Sequence, residues 1–149
     1  MTEILTYWFA KEPKLPNGDG RPVIIGETLK VEPPIKCCVR GLHGSIHPFD
    51  ALQYAPGPLL YRTRHSGMID RQEDKLCSSE RAAIAVIDAT AVLRLHARKQ
   101  ALSVLHMWTA PEVVKIYIET GDENIRDAAW AAAWAAAWEM FKETVEAAF

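Results

Sequence analysis

Three tryptophans in the last third of the chain are separated by nothing but alanine. Trp130, Trp134 and Trp138 recur every four residues, with Ala-Ala-Ala between each pair. Because an α-helix has 3.6 residues per turn, this spacing lines the indoles along one stripe and leaves the other faces almost without side chains. Such a helix needs another surface packed against its bulky stripe. The segment therefore constrains how the chain assembles more than what chemistry it performs.

The stripe continues toward the C-terminus with apolar side chains at helical spacing: Phe141, Val145 and Phe149. Two kinds of surface can cover it. One is the preceding helix, which the sequence predicts to begin near Thr109; the other is a second copy of the chain or a partner protein. A long helix with apolar flanks on all sides favours more than one neighbour, so we expect a homo-oligomer. The predicted oligomer interface consists of Trp130, Trp134, Trp138, Phe141 and Val145.

Length and charge limit the class of protein. A chain of 149 residues fits one domain, or one domain with a helical appendage. The net charge of −2 argues against nucleic acid as a partner bound by bulk electrostatics. The alanine-rich segment spans about 18 Å between Asp127 and Glu139, against roughly 30 Å of hydrocarbon, so no membrane partner is expected. The N-terminal residues lack the basic and apolar regions of a signal peptide. We expect a cytoplasmic protein.

The three cysteines do not form a recognisable framework. Cys37 and Cys38 are adjacent, which disfavours a bridge between them, and Cys77 leaves an odd count typical of a reducing compartment. A zinc site read from sequence needs Cys-x-x-Cys or histidine pairs at ligand spacing, and neither is present. We therefore expect structural thiols, no metal and no cofactor.

The pattern of apolar residues changes along the chain and predicts an α+β fold. The first part is rich in proline and glycine, with short strands predicted at residues 5–9, 22–25, 28–31, 36–39 and 59–66. Later, Ser79 caps a predicted helix through Ile87, Asp88 caps a second helix, and Gly121 ends a third. The predicted organisation is a β-rich part of a single domain at residues 1–78, helices packing on it at residues 79–121, and the Ala/Trp-rich C-terminal helix at residues 122–149, running from Asp122 to about Glu146.

The candidate binding residues lie between residues 41 and 65. His43 and His47 occupy a glycine-flanked loop, where paired histidines can bind metal or act as acid and base near neutral pH, or simply form hydrogen bonds with their backbone neighbours. Arg62, Arg64 and His65 follow one another on a predicted strand and can grip phosphate, although a solvated strand face also explains them. The full predicted ligand-binding set is His43, Ser45, His47, Tyr54, Arg62, Arg64 and His65.

Residues 41–67 carry a resemblance to a known group of proteins. The runs Gly-Leu-His-Gly-Ser, Asp-Ala-Leu-Gln-Tyr-Ala-Pro-Gly-Pro and His-Ser-Gly resemble an uncharacterised domain family of phages, prophages and some bacteria. Asp-Ala-Thr at residues 88–90, Ala-Pro-Glu-Val-Val at residues 110–114 and the alanine-rich tail extend this likeness. The resemblance implies a phage-encoded accessory protein without enzymatic activity, which counters host defence by binding a nucleotide-type signal or a host defence protein.

A second, weaker resemblance concerns a single element. The Gly-Leu-His-Gly-Ser run, followed by a helix with a tyrosine, is similar to the NAD-binding part of ADP-ribosyltransferases, and implies that Ser45 and Tyr54 hold nicotinamide. A divergent enzyme that uses NAD is therefore one alternative function. A purely structural assembly protein is another.

Overall fold

The computed structural model describes residues 3–148, which divide into two compact units after Thr90. The first unit is built on an antiparallel sheet and the second is helical, so the predicted α+β class is confirmed. The predicted boundary after residue 78 is wrong, because the sheet continues to Asp88. Phe149 lies outside the described residues, and its place in the apolar stripe stays a prediction.

The sheet of the first unit has five strands: β1 (Ile4–Ala10), β2 (Thr28–Lys30), β3 (Leu42–Gly44), β4 (Leu59–Arg71) and β5 (Leu76–Asp88). Strands β4 and β5 form a long antiparallel hairpin, and β1 pairs with the outer side of β4. The other side of β5 pairs with β2 near Arg81 and with β3 near Cys77. Since β1 pairs with β4, and β2, β3 and β4 pair with β5, the side chains of β5 from Leu76 to Ala83 lie at the centre of the unit, whereas those from Ile84 onward are exposed.

The predicted helix from Ser79 to Ile87 is wrong, since these residues form the second half of β5. The segment contains Ala82, Ala83 and Ala85, and alanine favours helices in isolation. In the structure this stretch pairs with β4 on one side and, around Ala82, with β2 on the other. Hydrogen bonding on both sides outweighs the local helical preference.

Three further predictions in the first unit are corrected. Residues 22–25 make only isolated bridges, from Pro22 to Lys14 and from Ile25 to Ala83. Residues 36–39 form a turn closed by a bridge between Lys36 and Arg40. The expected loop around His43 is strand β3. The predicted strands at residues 5–9, 28–31 and 59–66 are confirmed within β1, β2 and β4.

The core of the first unit combines an apolar cluster with a layer of polar side chains. The apolar cluster consists of Ala10, Leu15, Val23, Leu42, Tyr61 and Ala83. In the polar layer the hydroxyl oxygens of Thr6 and Thr63 lie 2.6 Å apart, and both side chains are fully buried. A short helix, α1 (Pro48–Leu52), follows β3, and His47 caps it by accepting the Phe49 N–H at Nδ1. The polar layer gives the interior a hydrogen-bonding lining that a purely apolar core lacks.

The second unit contains three α-helices: α2 (Thr90–Val104), α3 (Glu112–Thr120) and α4 (Arg126–Glu146), with a 3₁₀ turn at Leu105–Met107 after α2. Asp88 accepts the Thr90 N–H at the start of α2, as its predicted capping role requires. Gly121 ends α3 in the left-handed conformation with φ of 70°, also as predicted. Helix α4 begins at Arg126 and not at Asp122, because Asp122 forms a turn that accepts the Asn124 N–H.

Helix α4 packs through its alanines and not through its tryptophans. Ala129 is buried against Val114 and Ile118 of α3, and Ala132 and Ala133 lie partly buried beside it. The alternative in which the tryptophan stripe packs on the preceding helix is therefore wrong. Alanine side chains allow the backbones of α3 and α4 to approach closely. Packing through this alanine face leaves the larger side chains of α4 on another face. No helix in the described part of the chain is long and apolar enough to cross a membrane.

Candidate functional site

Arg81 of β5 is the most unusual charged residue of the first unit. Its side chain is 3% exposed, and its guanidinium carbon lies 3.9 Å from the centre of the Trp8 ring. Nη1 donates a 2.6 Å hydrogen bond to the backbone oxygen of His43. Nη2 is buried and has no hydrogen-bond partner in the structure. The guanidinium therefore retains unused donor capacity inside the protein.

Arg81 also lacks an opposite charge. Within residues 3–148 no carboxylate forms an ion pair with it. Burial lowers the pKa of Arg81 to about 9, which still leaves the group protonated at neutral pH. A buried cation without a carboxylate is costly, and Trp8 and one carbonyl offset only part of that cost.

A cleft of about 330 Å³ lies over Arg81 and His43. The segment from Leu15 to Asp19 forms one wall, and residues 38–43 form the other. The carboxylate in the first wall, Asp19, is neutralised by Arg21, whose Nε lies 2.8 Å from it. The second wall adds Arg40. The lining therefore presents two cations, and its single carboxylate among the described residues is already paired.

A second cleft of about 270 Å³ adjoins the first and shares with it Trp8, Pro16, Asn17, Cys38 and His43. Ser45, Tyr54 and Lys75 also line it. Lys75 Nζ lies 3.4 Å from the Tyr54 hydroxyl and 4.5 Å from the centre of its ring, while the hydroxyl donates to Asp74. No aspartate or glutamate is among the described residues that line this second cleft.

Two histidines near Arg81 are held in the neutral form. His43 has a lowered pKa, first because of burial and then because of Arg81 and Lys75. Its Nε2 accepts the Cys38 N–H at 3.1 Å. His65 is fully buried, with Nδ1 2.7 Å from the Ser78 hydroxyl, and burial lowers its pKa to about 3. Of the three side chains Arg81, His43 and His65, only Arg81 therefore carries a charge at neutral pH.

The predicted ligand-binding residues separate into groups. His43, Ser45 and Tyr54 line the second cleft, and His65 is the cross-strand partner of Arg81. His47 is an exposed helix cap. Arg62 and Arg64 do not lie with His65, because neighbouring residues of a strand point to opposite faces.

The two arginines on the opposite face have partners of their own. Arg62 stacks over Tyr7 at 4.3 Å, while its Nη1 is buried without a hydrogen-bond partner among the described residues. Arg64 lies 3.3 Å from a carboxylate oxygen of Glu3. The expected phosphate grip by Arg62, Arg64 and His65 together is therefore wrong. The sequence predicts a helix at Arg81. In the structure it is Arg81, and not Arg62 or Arg64, that lies at the cleft. Alternate residues of a strand point to the same face, so Ser79, Arg81 and Ala83 share one. The small side chains on either side of Arg81 are the signal in the sequence that this arginine points inward.

Two cysteines and a histidine from separate segments also converge. Cys37 of the turn, His43 of β3 and Cys77 of β5 offer one donor atom each, and these atoms lie within 4.8 Å of one another. Both cysteines are buried. Sequence spacing did not indicate this cluster because β5 brings its three members together from different parts of the chain.

On the second unit, the tryptophan stripe of α4 is open. Trp130, Trp134 and Trp138 are 69%, 63% and 64% exposed. The rings of Trp130 and Trp134 are stacked, with centroids 5.8 Å apart and planes inclined by 6°. Phe141 continues the same apolar surface and is 71% exposed. The predicted interface residues therefore share one exposed surface.

The fold and these sites define an α+β protein whose sheet unit holds a buried cation beneath a cleft and whose helical unit exposes a tryptophan stripe. The chain belongs to the family described as Domain of unknown function (DUF7666), whose family model matches residues 19–96. No curated protein and no solved structure matches the chain. The matched range contains His43, Cys77 and Arg81, whereas helix α4 lies outside it. Membership of an uncharacterised domain family is confirmed at this level, and phage origin stays a prediction.

Proposed function

We propose that the first unit binds a small anionic ligand of nucleotide type in the two adjoining clefts, without catalysing a reaction. The observation that carries this proposal is Arg81, a protonated side chain that is 3% exposed and that has, among residues 3–148, neither a carboxylate partner nor an acceptor for Nη2. A phosphate or carboxylate of the ligand supplies the missing charge and hydrogen-bond acceptor. Arginine suits this role because its donors match the geometry of such groups.

The size and lining of the clefts favour a nucleotide over a single inorganic ion. Their volumes of about 330 and 270 Å³ adjoin through five shared residues, and such a space accepts a molecule with a charged end and a ring. The first cleft provides Arg81 and Arg40 for the charged end. The second provides Tyr54, which is half exposed and available for stacking, and the ammonium of Lys75.

A binding role fits the second cleft better than NAD chemistry does. Ser45 and Tyr54 do share that cleft, as the resemblance to ADP-ribosyltransferases implies. The carboxylate that such catalysis needs is not among the described residues lining the cleft, and Asp74 near Tyr54 is occupied by the tyrosine hydroxyl. Taken with the resemblance to phage-encoded domains, this supports sequestration of a nucleotide signal as a counter-defence function. A host defence protein is the alternative partner.

Calorimetry on the full chain tests this proposal. The ligand panel comprises cyclic mononucleotides, cyclic dinucleotides, ADP-ribose, cyclic ADP-ribose and NAD, and the matched pair of variants is Arg81→Met and Arg62→Met. We expect saturable heat for at least one member, loss of that heat in Arg81→Met, and retention in Arg62→Met, whose arginine stacks on Tyr7 on the other face. Absence of heat for every member in the native chain contradicts nucleotide binding. Release of nicotinamide from NAD contradicts the non-enzymatic assignment.

We also propose that the chain forms a homo-oligomer through the tryptophan stripe of α4. The rings of Trp130, Trp134, Trp138 and Phe141 are each more than 60% exposed. At about 150–250 Å² per aromatic side chain, they offer roughly 400–650 Å², most of the ~800 Å² that each partner contributes to a standard interface. A second copy brings an identical stripe, so that two apolar surfaces cover each other.

A further inference from the structure

We propose that Cys37, His43 and Cys77 bind a zinc ion. Their donor atoms lie within 4.8 Å of one another, and they come from the turn at residues 36–40, strand β3 and strand β5. Two sulfur atoms and one imidazole nitrogen are a donor set that selects zinc among the common divalent cations. The inference does not depend on the proposed ligand binding, because it uses the thiol cluster and not the charge of Arg81.

The distances between the donors suit a zinc ion after a small adjustment. With Zn–S near 2.3 Å and Zn–N near 2.0 Å, tetrahedral donors stand roughly 3.6–3.8 Å apart. The observed limit of 4.8 Å requires a closure of about 1 Å.

The backbone holds two of the three donors in register. His43 and Cys77 are direct cross-strand partners in the β3–β5 pair. Arg81 fixes the same strand by donating to the backbone oxygen of His43 at 2.6 Å. A Cβ on Gly41 would stand 2.9 Å from the Cys77 sulfur, so this position needs glycine for the chain to pass over the thiol.

The third donor is anchored by a carboxylate. The backbone N–H of Cys37 donates to Asp70 at 2.7 Å. Cys38, the next residue, is exposed and has a positive φ of 67°, so the turn directs the two neighbouring cysteines differently. The hydrogen bond to Asp70 fixes the backbone at Cys37 and therefore the position from which its thiol extends.

Without a metal the cluster is only weakly satisfied. The Cys37 thiol donates to the Asp70 carbonyl at 3.4 Å, and the Cys77 thiol lies 3.7 Å from the Arg40 carbonyl. A zinc ion with two thiolates has no net charge, and the nearby guanidinium of Arg81 does not oppose it.

The three protein donors leave a fourth coordination position, which water fills in a zinc site of this type. His43 also lines both clefts. Its Nε2 accepts the Cys38 N–H at 3.1 Å, and this hydrogen bond helps to fix the orientation of the ring.

Titration of the reduced, metal-free full chain with Co²⁺ tests the site, since Co²⁺ reports tetrahedral thiolate coordination by absorption. We expect one equivalent to produce thiolate charge-transfer bands and intense visible bands, and one equivalent of Zn²⁺ to remove them. Cys37→Ser and Cys77→Ser are expected to lose these bands, and Cys38→Ser to retain them as the matched control. Zinc is also expected to raise the melting temperature of the native chain and of Cys38→Ser.

Two results overturn the site. One is a native chain that binds no stoichiometric Co²⁺, or that gives only the weak bands of octahedral Co²⁺. The other is an absorption spectrum that is lost in Cys38→Ser and kept in Cys37→Ser. Because the native titration needs no substitution, a variant that fails to fold does not affect the decision. Nucleotide calorimetry in the presence and absence of zinc separates failure of this site from failure of the proposed ligand binding.

Discussion

Arg81 and Trp8 form a buried cation–π pair, with the guanidinium carbon 3.9 Å from the centre of the indole ring. The pair joins β5 to β1, although β4 lies between them in the sheet. Because no described carboxylate pairs with Arg81, the charge is held by an aromatic face and a carbonyl oxygen. The protein therefore maintains a cation in its interior at some expense of stability, which is typical of groups retained for function.

Replacement of Arg81 by methionine is expected to separate stability from binding. Methionine keeps an unbranched apolar side chain over Trp8 and removes the buried charge, so the free energy of unfolding should be unchanged or higher by about 1–4 kcal/mol. Affinity for the anionic ligand should fall about 10- to 100-fold, the range expected for a charge-assisted hydrogen bond. Urea unfolding and calorimetry measure the two effects.

The matched control is Arg62→Met, which removes an arginine from the other face of the sheet. Arg62 stacks over Tyr7 at 4.3 Å and does not line either cleft. Its loss should leave ligand affinity within twofold of the native value. A large loss of stability in Arg81→Met, or equal effects of both substitutions on affinity, would show that Arg81 has a structural role only.

Gly44→Ala is expected to destabilise the first unit. A Cβ at Gly44 would lie 2.3 Å from Thr6 Oγ1 and 2.7 Å from His65 Nε2, two atoms of the buried polar layer. Forcing a methyl group into this space should lower the free energy of unfolding by about 1–3 kcal/mol. The control is Gly20→Asn. Asparagine tolerates the positive φ of this position, and a Cβ there would have nothing within 4 Å, so this substitution should cost less stability. Equal losses for the two variants would contradict the packing argument.

Stability should fall as the pH decreases from 6.5 toward 5. His65 has a folded pKa of about 3, below its unfolded value near 6.5, so in this range the unfolded chain binds a proton that the folded chain does not. The resulting loss is about 2 kcal/mol between pH 7 and 5. His43 contributes in the same direction because burial and Arg81 also lower its pKa. Urea unfolding as a function of pH measures the slope.

Above pH 5, the pH dependence of the free energy of unfolding reports on the histidines and not on the carboxylates. Glu12, Asp19 and Glu80 have lowered pKa values, so their stabilising effect is present above pH 4.5 and is lost only at lower pH. His65→Gln should flatten the slope between pH 6.5 and 5. His47→Asn, which retains a capping residue at the start of α1, should leave it unchanged. An unchanged slope in His65→Gln would refute the assignment.

Sedimentation should report association through α4. The native chain is expected to sediment as an oligomer at micromolar concentration, and simultaneous substitution of Trp130, Trp134 and Trp138 by glutamine to yield monomers with unchanged helix content. Glutamine suits a helix, and the packing of Ala129 on α3 is not touched. Met107→Gln, at a site that is 74% exposed and outside α4, is the control and should remain oligomeric. A native chain that sediments as a monomer contradicts the proposed interface.

Local signals in the sequence predicted much of the fold. Gly121 ends α3 and Asp88 accepts the Thr90 N–H at the start of α2, because glycine and short-range hydrogen bonds act within a few residues. The second half of β5 could not be predicted in this way. Its alanines favour a helix locally, and only pairing with β2 and β4, which come from distant parts of the chain, makes it a strand.

The residues of the candidate site were also predicted where they depend on local sequence and missed where they depend on pairing between distant strands. His43, Ser45 and Tyr54 come from one short stretch and do line one cleft. Arg81 and Cys77 were missed because their positions depend on β5, whose strand character is set by tertiary pairing. The tryptophan stripe was visible as a helical period. The stripe is exposed because α3 packs on the alanine face of α4 instead. The sequence of α4 alone does not specify which of its faces α3 contacts.

Nuclear magnetic resonance of the Arg81 side chain shows whether the buried guanidinium contacts the ligand. The experiment follows the Nε–H signals of the arginines in the ¹⁵N-labelled full chain, assigned with Arg81→Met, during titration with the nucleotide that gives heat in calorimetry, or with the whole panel. The account predicts a saturable shift of the Arg81 signal at one equivalent of ligand, with the Arg62 signal unmoved. An Arg81 signal that stays in place while ligand binds, or that moves with no member of the panel, contradicts it.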